Sequence, residues 1–478
     1  MAIDPALRRL ALGTLLAAFK GETAPGWAVR LLGEGLAGHT LFGTNVVEPA
    51  QVAALTARLR EGRPDALLAI DEEGGDVTRL GHRTGSPYPG NAALGTVDDV
   101  DLTRTVYAAI GADLVAAGIN LDLAPTVDVN SADDNPIIGT RSFGADPLLV
   151  ARHARAAVEG LQSAGVAACA KHFPGHGATV DDSHLALPTV DASFALLRER
   201  DLPPFAAIAP AAQAVMTAHI RVPALTGNGP ATFSSSTLRG LLRSELGFAG
   251  VIVTDALEMA GAAKAAGSIP LAAVRALTAG ADLLCIGAEV DLELVEAVAA
   301  EVARSVPAER LEEAVARNTA MASWTTSPRP AMSVADDLGY AAARRAVRVE
   351  GSLSELGSPL VVQLTSGYSI AEGKVPWGLA PHLAGVEQVE VVASSASADQ
   401  LAAQAGSRPI VVVGRHTHRQ ESSRELIEQL AAAMPVGVVE MGWPSTWRPS
   451  RARAFVTTHG ASLANGRAAA EALGLATL

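Results

Sequence analysis

The chain has 478 residues, of which 49% are hydrophobic and 18% charged, so it has enough apolar material for the cores of two or three domains. Its formal net charge of −13 argues against nucleic acid or an anionic membrane surface as the main partner. The two cysteines, Cys169 and Cys285, lie in apolar segments and predict buried free thiols, which excludes a disulfide framework and fits a reducing compartment.

The N-terminal segment has the basic and apolar parts of a signal peptide but no cleavage pattern. Arg8 and Arg9 precede an apolar run, and Lys20 and Glu22 follow it in place of small residues. We therefore expect 10–19 to be the first core strand and the protein to be cytoplasmic. No apolar run approaches the roughly 20 residues that span a bilayer, so no membrane partner is expected.

The first 325 residues repeat one pattern, in which a short apolar strand is followed by a helical segment. The predicted strands are 10–19, 38–43, 66–71, 119–123, 166–171, 214–219, 250–255 and 281–287. The predicted helices include 100–117, 147–164, 194–211, 235–246, 269–279 and 289–304. Eight strands that alternate with helices predict an α/β fold with a parallel sheet closed as a TIM-like (β/α)8 barrel.

The pattern breaks near Thr325, where Ser and Pro residues indicate a linker. We expect a catalytic barrel at 1–325, a linker and connecting helix at 326–350, and a second domain at 351–478. The connecting helix is predicted at 337–348. The second domain has predicted strands at 359–364, 388–393, 409–414, 435–440 and 454–458, with helices at 396–404, 420–432 and 463–473. This alternation predicts a smaller, doubly wound α/β sandwich. Its loops contain no phosphate-loop or dinucleotide fingerprint, and we expect no cofactor.

Titratable residues stand at the carboxyl ends of five predicted barrel strands. They are Asp71, Asp122, Lys171 with His172, His219 and Asp255. Active sites of such barrels form at this end of the strands. A charge at the end of a buried strand is costly unless function or pairing supports it, so the pattern predicts a site on this face.

The segment 171–184 contains several titratable side chains in a loop that also has Pro174 and two glycines. Asp182 stands two residues before His184, a spacing that lets a carboxylate bind an imidazole, fix its tautomer and raise its basicity. His176, His184 and Asp182 are also possible zinc ligands. The sequence has no His-Glu-x-x-His motif and no paired cysteines, so we expect no metal.

Three further positions admit more than one interpretation. Asp255 could serve as a nucleophile, a general base or a cation partner, or it could cap the following helix. Asp71 opens an acidic turn that could bind a cation or sugar hydroxyls, or could face solvent. Arg141 could donate to a polyhydroxylated ligand or form a surface ion pair. Asp255 with the Asp182–His184 pair would supply the attacking group and the acid/base that double displacement at an acetal carbon requires.

The motifs together resemble glycoside hydrolase family 3, in particular its β-N-acetylglucosaminidase (NagZ-type) branch in two-domain form. The matching segments are Asp-Glu-Glu-Gly-Gly at 71–75, Ala-Pro-Thr-Val-Asp at 124–128, Ile-Gly-Thr-Arg-Ser-Phe-Gly at 138–144, Lys-His-Phe-Pro-Gly-His-Gly at 171–177, Asp-Ser-His at 182–184 and Val-Thr-Asp-Ala-Leu-Glu-Met at 253–259. One departure is Glu72, where family members often carry Gln; its charge could shift preference near the sugar or simply face solvent.

The resemblance implies a retaining mechanism. In it Asp255 would be the nucleophile, His184 the acid/base and Asp182 its orienting partner. The residues that would hold the N-acetylglucosamine at the non-reducing end are Asp71, Arg79, Arg141, Lys171 and His172. An acid/base carried by the barrel argues against the β-glucosidase branch of the family, in which a glutamate comes from the second domain.

The leading hypothesis is an exo-acting β-N-acetylglucosaminidase that hydrolyses cell-wall muropeptides, with chitooligosaccharides as the second choice of substrate and wall recycling as its role. The expected partner is thus a small carbohydrate, bound by a monomer or a homodimer. A phosphorylase is the alternative, because a neutral histidine acid/base would not repel phosphate. A broad β-glucosidase or hexosaminidase of the same family, and a non-catalytic sugar-binding protein, are the remaining hypotheses.

Overall fold

The computed structural model describes residues 4–181, 187–287, 290–329, 334–365, 367–383 and 385–476. The chain forms two compact units. The first comprises Met1–Glu73, Val100–Ile138 and Gly144–Val334, and the second Gly74–Asp99, Gly139–Phe143 and Ala335–Leu478. Two short segments of the N-terminal half, 74–99 and 139–143, therefore group with the C-terminal half.

The first unit is built on eight parallel strands. They are β1 Leu15–Ala17, β2 Gly38–Leu41, β3 Leu67–Ile70, β4 Leu121–Asp122, β5 Ala167–Phe173, β6 Ala214–Thr217, β7 Val251–Thr254 and β8 Leu284–Ile286. They pair in the order β7-β6-β5-β4-β3-β2-β1-β8, and a parallel bridge between Val253 and Leu283 joins the two ends of the sheet. The predicted (β/α)8 barrel is confirmed.

Helices follow the strands as expected for this architecture. Those of residues 4–329 are α1 Pro5–Leu12, α2 Gly26–Glu34, α3 Pro49–Arg60, α4 Asn91–Val97, α5 Val100–Ala116, α6 Pro147–Ser163, α7 Phe194–Arg200, α8 Leu202–Ile208, α9 Pro223–Thr226, a π-helix Ser236–Glu245, α10 Ala260–Ala266, α11 Ile269–Ala279, α12 Leu292–Ser305 and α13 Ala308–Thr325. Short 3₁₀ turns lie at Gly43–Asn45, Gly139–Arg141 and Ala231–Phe233. Of these elements, α4 and the turn Gly139–Arg141 belong to the second unit.

The start of the chain differs from the predicted strand at 10–19. Pro5 and a hydrogen bond from Ala6 N–H to the Asp4 carboxylate begin α1, which continues to Leu12 before β1 starts at Leu15. An apolar run does not by itself distinguish a helix from a buried strand, and here the N-terminal capping residues decide for a helix.

Small and branched side chains fill the barrel. The interior cluster includes Leu16, Ala69, Leu121, Ala167, Cys169, Ala214, Met216, Val253 and Cys285. Both cysteines are free and buried, as predicted.

The second unit contains a six-stranded sheet. Its strands are β9 Arg348–Gly351, β10 Leu360–Leu364, β11 Gln388–Val391, β12 Ile410–Gly414, β13 Val436–Glu440 and β14 Ala454–Thr457, in the order β11-β10-β12-β13-β14-β9. All neighbours are parallel except β9, which runs antiparallel to β14. Its C-terminal helices are α14 Leu338–Ala346, α15 Ala398–Ala405, α16 Glu421–Ala433 and α17 Leu463–Ala472, with a 3₁₀ turn at Ala380–His382.

Alternate residues of these strands face two apolar layers. Val362 and Val412 pack with helix residues such as Leu426, whereas Val361 and Val411 belong to a separate cluster that includes helix residues such as Ala469. The sheet thus lies between two helical layers, as the predicted doubly wound sandwich requires. Among the described residues, no helix is both long and apolar enough to cross a membrane.

Candidate active site

A buried lysine in the C-terminal half of β5 joins two carboxylates that follow β3. Lys171 Nζ lies 2.6 Å from Asp71 Oδ1 and 2.8 Å from Glu73 Oε1, and the Lys171 side chain is only 3% exposed. Thr126 Oγ1 donates to Glu73 Oε2 at 3.1 Å. Both carboxylates share one cation, which compensates their burial and fixes the direction in which Asp71 points.

A second buried carboxylate, Asp128, orders the start of the Lys-His-Phe-Pro-Gly-His-Gly loop. Its Oδ2 lies 2.7 Å from His172 Nδ1, and its Oδ1 accepts the backbone N–H groups of His172 and His176 at 3.3 and 2.6 Å. Burial alone would raise the pKa of Asp128, but the two histidines hold that pKa below its usual value. The ionised carboxylate favours a proton on His172 Nδ1, so Nε2 is the ring nitrogen that can meet a ligand.

His176 supports the loop from inside. It is buried, its Nδ1 lies 2.7 Å from Thr179 Oγ1, and burial together with the nearby His172 lowers its pKa to about 4. Gly177 passes so close to the chain at Val129 that an added Cβ would lie 1.8 Å from the Val129 carbonyl oxygen. A neutral histidine and an obligatory glycine therefore fix this loop against residues 128–130.

Asp255 directly follows β7 and is partly exposed. Its N–H donates to the Thr217 carbonyl at 3.3 Å, and its Oδ1 accepts the Ala256 N–H at 2.8 Å. Helix α10 begins only at Ala260, so Asp255 does not cap it, and that interpretation of the sequence is wrong.

His219 is buried beside this strand end and fixes the chain next to Asp255. Its Nε2 lies 3.1 Å from the Ala256 carbonyl oxygen, and its Nδ1 lies 2.8 Å from Thr232 Oγ1. These two contacts give His219 a supporting position at the end of β6.

Asp122, at the end of β4, holds the acidic turn. It is buried, its Oδ1 accepts the Glu72 N–H at 3.0 Å, and burial raises its pKa well above the usual value. Glu72 is itself only 4% exposed, so the suggestion that it faces solvent is wrong.

The two arginines predicted to bind the sugar lie in the second unit. Arg79 donates through Nη2 to the Ala371 carbonyl at 2.8 Å and through Nη1 to the Glu372 carbonyl at 3.2 Å. Arg141 ends a 3₁₀ turn and is only 6% exposed, so the surface ion pair considered for it is wrong.

The structure thus brings Asp71 and Lys171 together, holds His172 through Asp128, and places Asp255 on the same end of the barrel strands. Asp182 and His184 lie outside the described residues. Sequence reasoning did not assign roles to Glu73 and Asp128, although both lie in matched motifs, which was the available signal. Within the described residues, no three His, Cys, Asp or Glu side chains gather in a way that could hold a metal ion.

Comparison with known proteins agrees with this geometry. Residues 24–321 match the model of the glycosyl hydrolase family 3 N-terminal domain. The chain belongs to this family. The resemblance predicted from the motifs is confirmed.

Individual family 3 relatives are similar over different parts of the chain. A beta-hexosaminidase A of Pseudoalteromonas piscicida is 37% identical over 305 residues, covering 58% of this chain and 51% of that protein. A beta-hexosaminidase of Chromobacterium violaceum is 40% identical over 257 residues, covering 52% of this chain and 71% of that protein. The chain therefore spans about half the length of the first relative.

The similarity to solved structures extends over the whole chain. The glycoside hydrolase family 3 beta-N-acetylglucosaminidase of Paenibacillus sp. str. FPU-7 superposes with a TM-score of 0.86 at 32% identity. The match covers 100% of this chain and 98% of that one, so both units belong to the similarity.

Proposed function

We propose that the protein is a retaining exo-β-N-acetylglucosaminidase that releases terminal β-linked N-acetylglucosamine. The observation that carries the proposal is the partly exposed Asp255 at the end of β7, on the same barrel face as the fixed Lys171–Asp71 pair. A carboxylate surrounded by charged side chains that form hydrogen bonds can bind a neutral, polyhydroxylated sugar ring. The beta-hexosaminidase names of the relatives support the choice of sugar.

In the proposed first step, an oxygen of Asp255 attacks the anomeric carbon and the bond to the leaving oxygen breaks. His184 gives its proton to that oxygen, and the sugar remains covalently attached to Asp255. In the second step His184 removes a proton from water, whose oxygen attacks the anomeric carbon and frees Asp255. Asp182 orients His184 in both steps.

Asp71, Arg79, Arg141, Lys171 and His172 are proposed to hold the sugar. Lys171 and His172 are already fixed by the buried carboxylates of Glu73 and Asp128, so little side-chain freedom is lost on binding. Cell-wall muropeptide fragments are the proposed natural substrates, with chitooligosaccharides second.

The first test is turnover of an aryl β-N-acetylglucosaminide beside the matching β-glucoside, each with and without phosphate. We expect preference for the N-acetyl sugar and release of free sugar. A sugar 1-phosphate would identify a phosphorylase instead, and preference for the glucoside would place the protein in the other branch. No turnover of any β-hexosaminide would favour a sugar-binding protein.

The second test concerns the catalytic pair. Asp255→Ala is expected to abolish turnover, whereas Asp399→Ala, at an exposed position in the first turn of α15, leaves it unchanged. His184→Ala is expected to slow substrates with poor leaving groups far more than activated aryl glycosides, because only the former need protonation. Equal losses on both substrates would rule out His184 as the acid.

A further inference from the structure

A buried carboxylate in the second unit, Asp76, connects three separate parts of that unit. Its Oδ1 accepts the Ala461 N–H at 2.7 Å, and its Oδ2 accepts the Thr140 hydroxyl at 2.5 Å. The same Oδ2 lies 3.3 Å from Arg415 Nη2, and the Asp76 side chain is only 2% exposed. A carboxylate so deeply buried needs such donors to offset the loss of its contacts with water.

Arg415 continues the network from the carboxyl end of β12. Its Nη2 also lies 2.8 Å from Glu372 Oε1, and its guanidinium stands 5.7 Å from the centre of the Trp377 ring. Burial opposes its charge, but Asp76 and Glu372 together raise its pKa above the usual value. Arg415 therefore remains a permanent cation between two carboxylates.

The loop that carries Arg415 is itself fixed. The buried Glu440, at the end of β13, accepts the N–H groups of His416 and Thr417 at 2.7 and 2.8 Å and the Thr417 hydroxyl at 2.6 Å. The Asp76 network is thus anchored to the carboxyl edge of the C-terminal sheet.

Both arginines proposed to bind the sugar are connected to this network by hydrogen bonds of their own segments. Thr140 directly precedes Arg141 in the chain, and its hydroxyl bond to Asp76 fixes the 3₁₀ turn that Arg141 ends. Arg79 stands three residues after Asp76 in the sequence and donates to the carbonyl of Glu372, the residue whose side chain pairs with Arg415.

The turn at 139–141 also lies against the neighbouring loops of the same sheet. A Cβ added at Gly139 would stand 3.9 Å from Trp443 Cβ and 4.0 Å from His416 Cε1. His416 follows Arg415, and Trp443 belongs to the loop after β13. The segment of each arginine therefore contacts loops at one edge of one sheet.

We propose that the Asp76–Arg415–Glu372 cluster is a positioning device for Arg79 and Arg141, and that presenting these two arginines to the substrate is the part that the C-terminal sheet plays in the activity. The inference rests on the proposed function, because it takes the two arginines as sugar-binding groups. Asp76, Arg415 and Glu372 are positioning residues, acting through the arginines rather than on the sugar.

The test measures KM and kcat with an aryl β-N-acetylglucosaminide. Arg415→Met is expected to raise KM about 10- to 100-fold with a smaller change in kcat, since misplacing binding groups by about 1 Å has effects of this size. Thr140→Val is a milder variant that removes only the hydroxyl bond to Asp76, and is expected to raise KM about 3- to 10-fold. Arg415→Lys, which keeps the charge, is expected to recover part of the Arg415→Met loss.

Two comparisons separate positioning from simple stabilisation. Arg408→Met removes an exposed ion pair with Glu387 in the same unit, and should leave KM unchanged. In an Arg79→Met background, Thr140→Val should still raise KM through Arg141, whereas Arg415→Met should raise it less than in the wild type. If Arg415→Met raised KM by the same factor in the Arg79→Met background as in the wild type, the proposal would be overturned. It would also be overturned if the variants had a lower melting temperature but a wild-type KM.

The same assay distinguishes failure of this inference from failure of the proposed function. A wild-type protein that does not turn over any β-N-acetylglucosaminide would remove both. An active wild type whose KM is unaffected by Arg79→Met and Arg141→Met would remove the positioning proposal together with the sugar-binding role of these two arginines, but would leave the proposed hydrolysis by Asp255 and His184 standing.

Discussion

Single buried carboxylates decide how the candidate site is arranged, and Asp128 shows this most directly. It accepts two backbone N–H groups and faces His172 Nδ1 at 2.7 Å. In Asp128→Asn one carboxylate oxygen becomes an NH₂ group, which donates hydrogen bonds and cannot accept them. The side chain can then no longer accept from all three donors. The His172 ring then loses the partner that fixes its tautomer and orientation.

We therefore expect Asp128→Asn to lower kcat/KM about 100-fold. The measurement is kcat/KM of an aryl β-N-acetylglucosaminide at neutral pH. Asp134→Asn, at an exposed position a few residues away, is the matched control and should behave like the wild type. An unchanged kcat/KM in Asp128→Asn would show that His172 does not depend on this carboxylate.

Lys171 compensates the charge of two carboxylates, so its removal should affect stability and binding together. In Lys171→Met, Asp71 and Glu73 lose their shared cation, and a broken buried ion pair typically costs about 3–5 kcal/mol of unfolding free energy. Urea unfolding of the variant checks the stability, and KM checks the binding.

Two variants bracket the Lys171 result. Adding Glu73→Gln to Lys171→Met should restore part of the stability, because it removes the charge of one carboxylate that has lost its cation. Lys264→Met, at an exposed position on α10, should change neither quantity. Equal stability of Lys171→Met and the wild type would mean that Asp71 and Glu73 do not depend on the lysine charge.

At the scale of elements, the opposite end of the barrel carries an ionic cluster that ties β8 to neighbouring helices. Asp282 precedes β8, has a fully buried side chain, and pairs with Arg243 of the π-helix and with Arg310 and Arg317 of α13. Its Oδ2 also accepts the N–H of Ile252, a residue of β7, at 3.0 Å. Charged groups at this end of a barrel serve stability rather than catalysis.

Asp282→Asn is accordingly expected to lower the free energy of unfolding by about 3–5 kcal/mol and to leave KM unchanged. Glu301→Gln, which removes an exposed pair with Arg304, should cost less than about 1 kcal/mol. Denaturant unfolding and steady-state kinetics on both variants check this. A raised KM in Asp282→Asn would connect this cluster to the site at the other end of the strands.

The elements that sequence reasoning predicted best are those whose pattern is local. The interior strands β3, β5, β7 and β10 were predicted close to their observed positions, because continuous apolar runs bounded by polar residues are typical of buried parallel strands. Strand β9, at Arg348–Gly351, was missed: all four of its residues are exposed, and only its pairing with β14 makes it a strand.

In the candidate site, too, what local sequence motifs record was predicted, and what depends on tertiary contacts was not. The motifs at 71–75 and 171–177 pointed to Asp71, Lys171 and His172, which the structure holds at the end of β3 and on β5, on either side of β4. The grouping of Arg79 and Arg141 with the C-terminal sheet was not predictable, because it depends on Asp76 meeting a residue as distant in sequence as Arg415. A sequence pattern records spacing along the chain, whereas this network exists only through tertiary contacts.

For the whole molecule, the buried histidines predict how stability depends on pH. Burial is the main cause that lowers the pKa of His39, His176 and His459 to about 4 each, from the usual 6.5. In the unfolded chain these groups take up protons near pH 6.5, but in the folded protein only near pH 4. Their contribution is therefore fully present above pH 6.5 and is lost as the pH falls toward 4.

Buried carboxyl groups whose pKa is raised act in the opposite direction, and Asp201 is one of them. Burial is the main cause that raises the pKa of Asp201 from 3.8 to about 6, so the folded protein holds this proton more tightly than the unfolded chain. Its contribution is present below pH 3.8 and is lost as the pH rises through about 6. The overall stability curve is a sum of both kinds of group, so variants at single positions give the sharper test.

His39 offers the cleanest case, because it is fully buried between the Ala17 and Ala28 carbonyl oxygens and belongs to no proposed substrate contact. His39→Gln removes its titration while keeping an N–H donor for Ala17. Between pH 7 and 4 the variant should therefore lose less unfolding free energy than the wild type, by up to about 3 kcal/mol for a pKa shift of this size.

Asp201→Asn should instead reduce the loss of unfolding free energy that accompanies a rise from about pH 4 to 6. Melting temperatures measured at intervals across this range compare the three proteins. Parallel curves for His39→Gln and the wild type would show that His39 takes up its proton in the folded state as readily as in the unfolded chain.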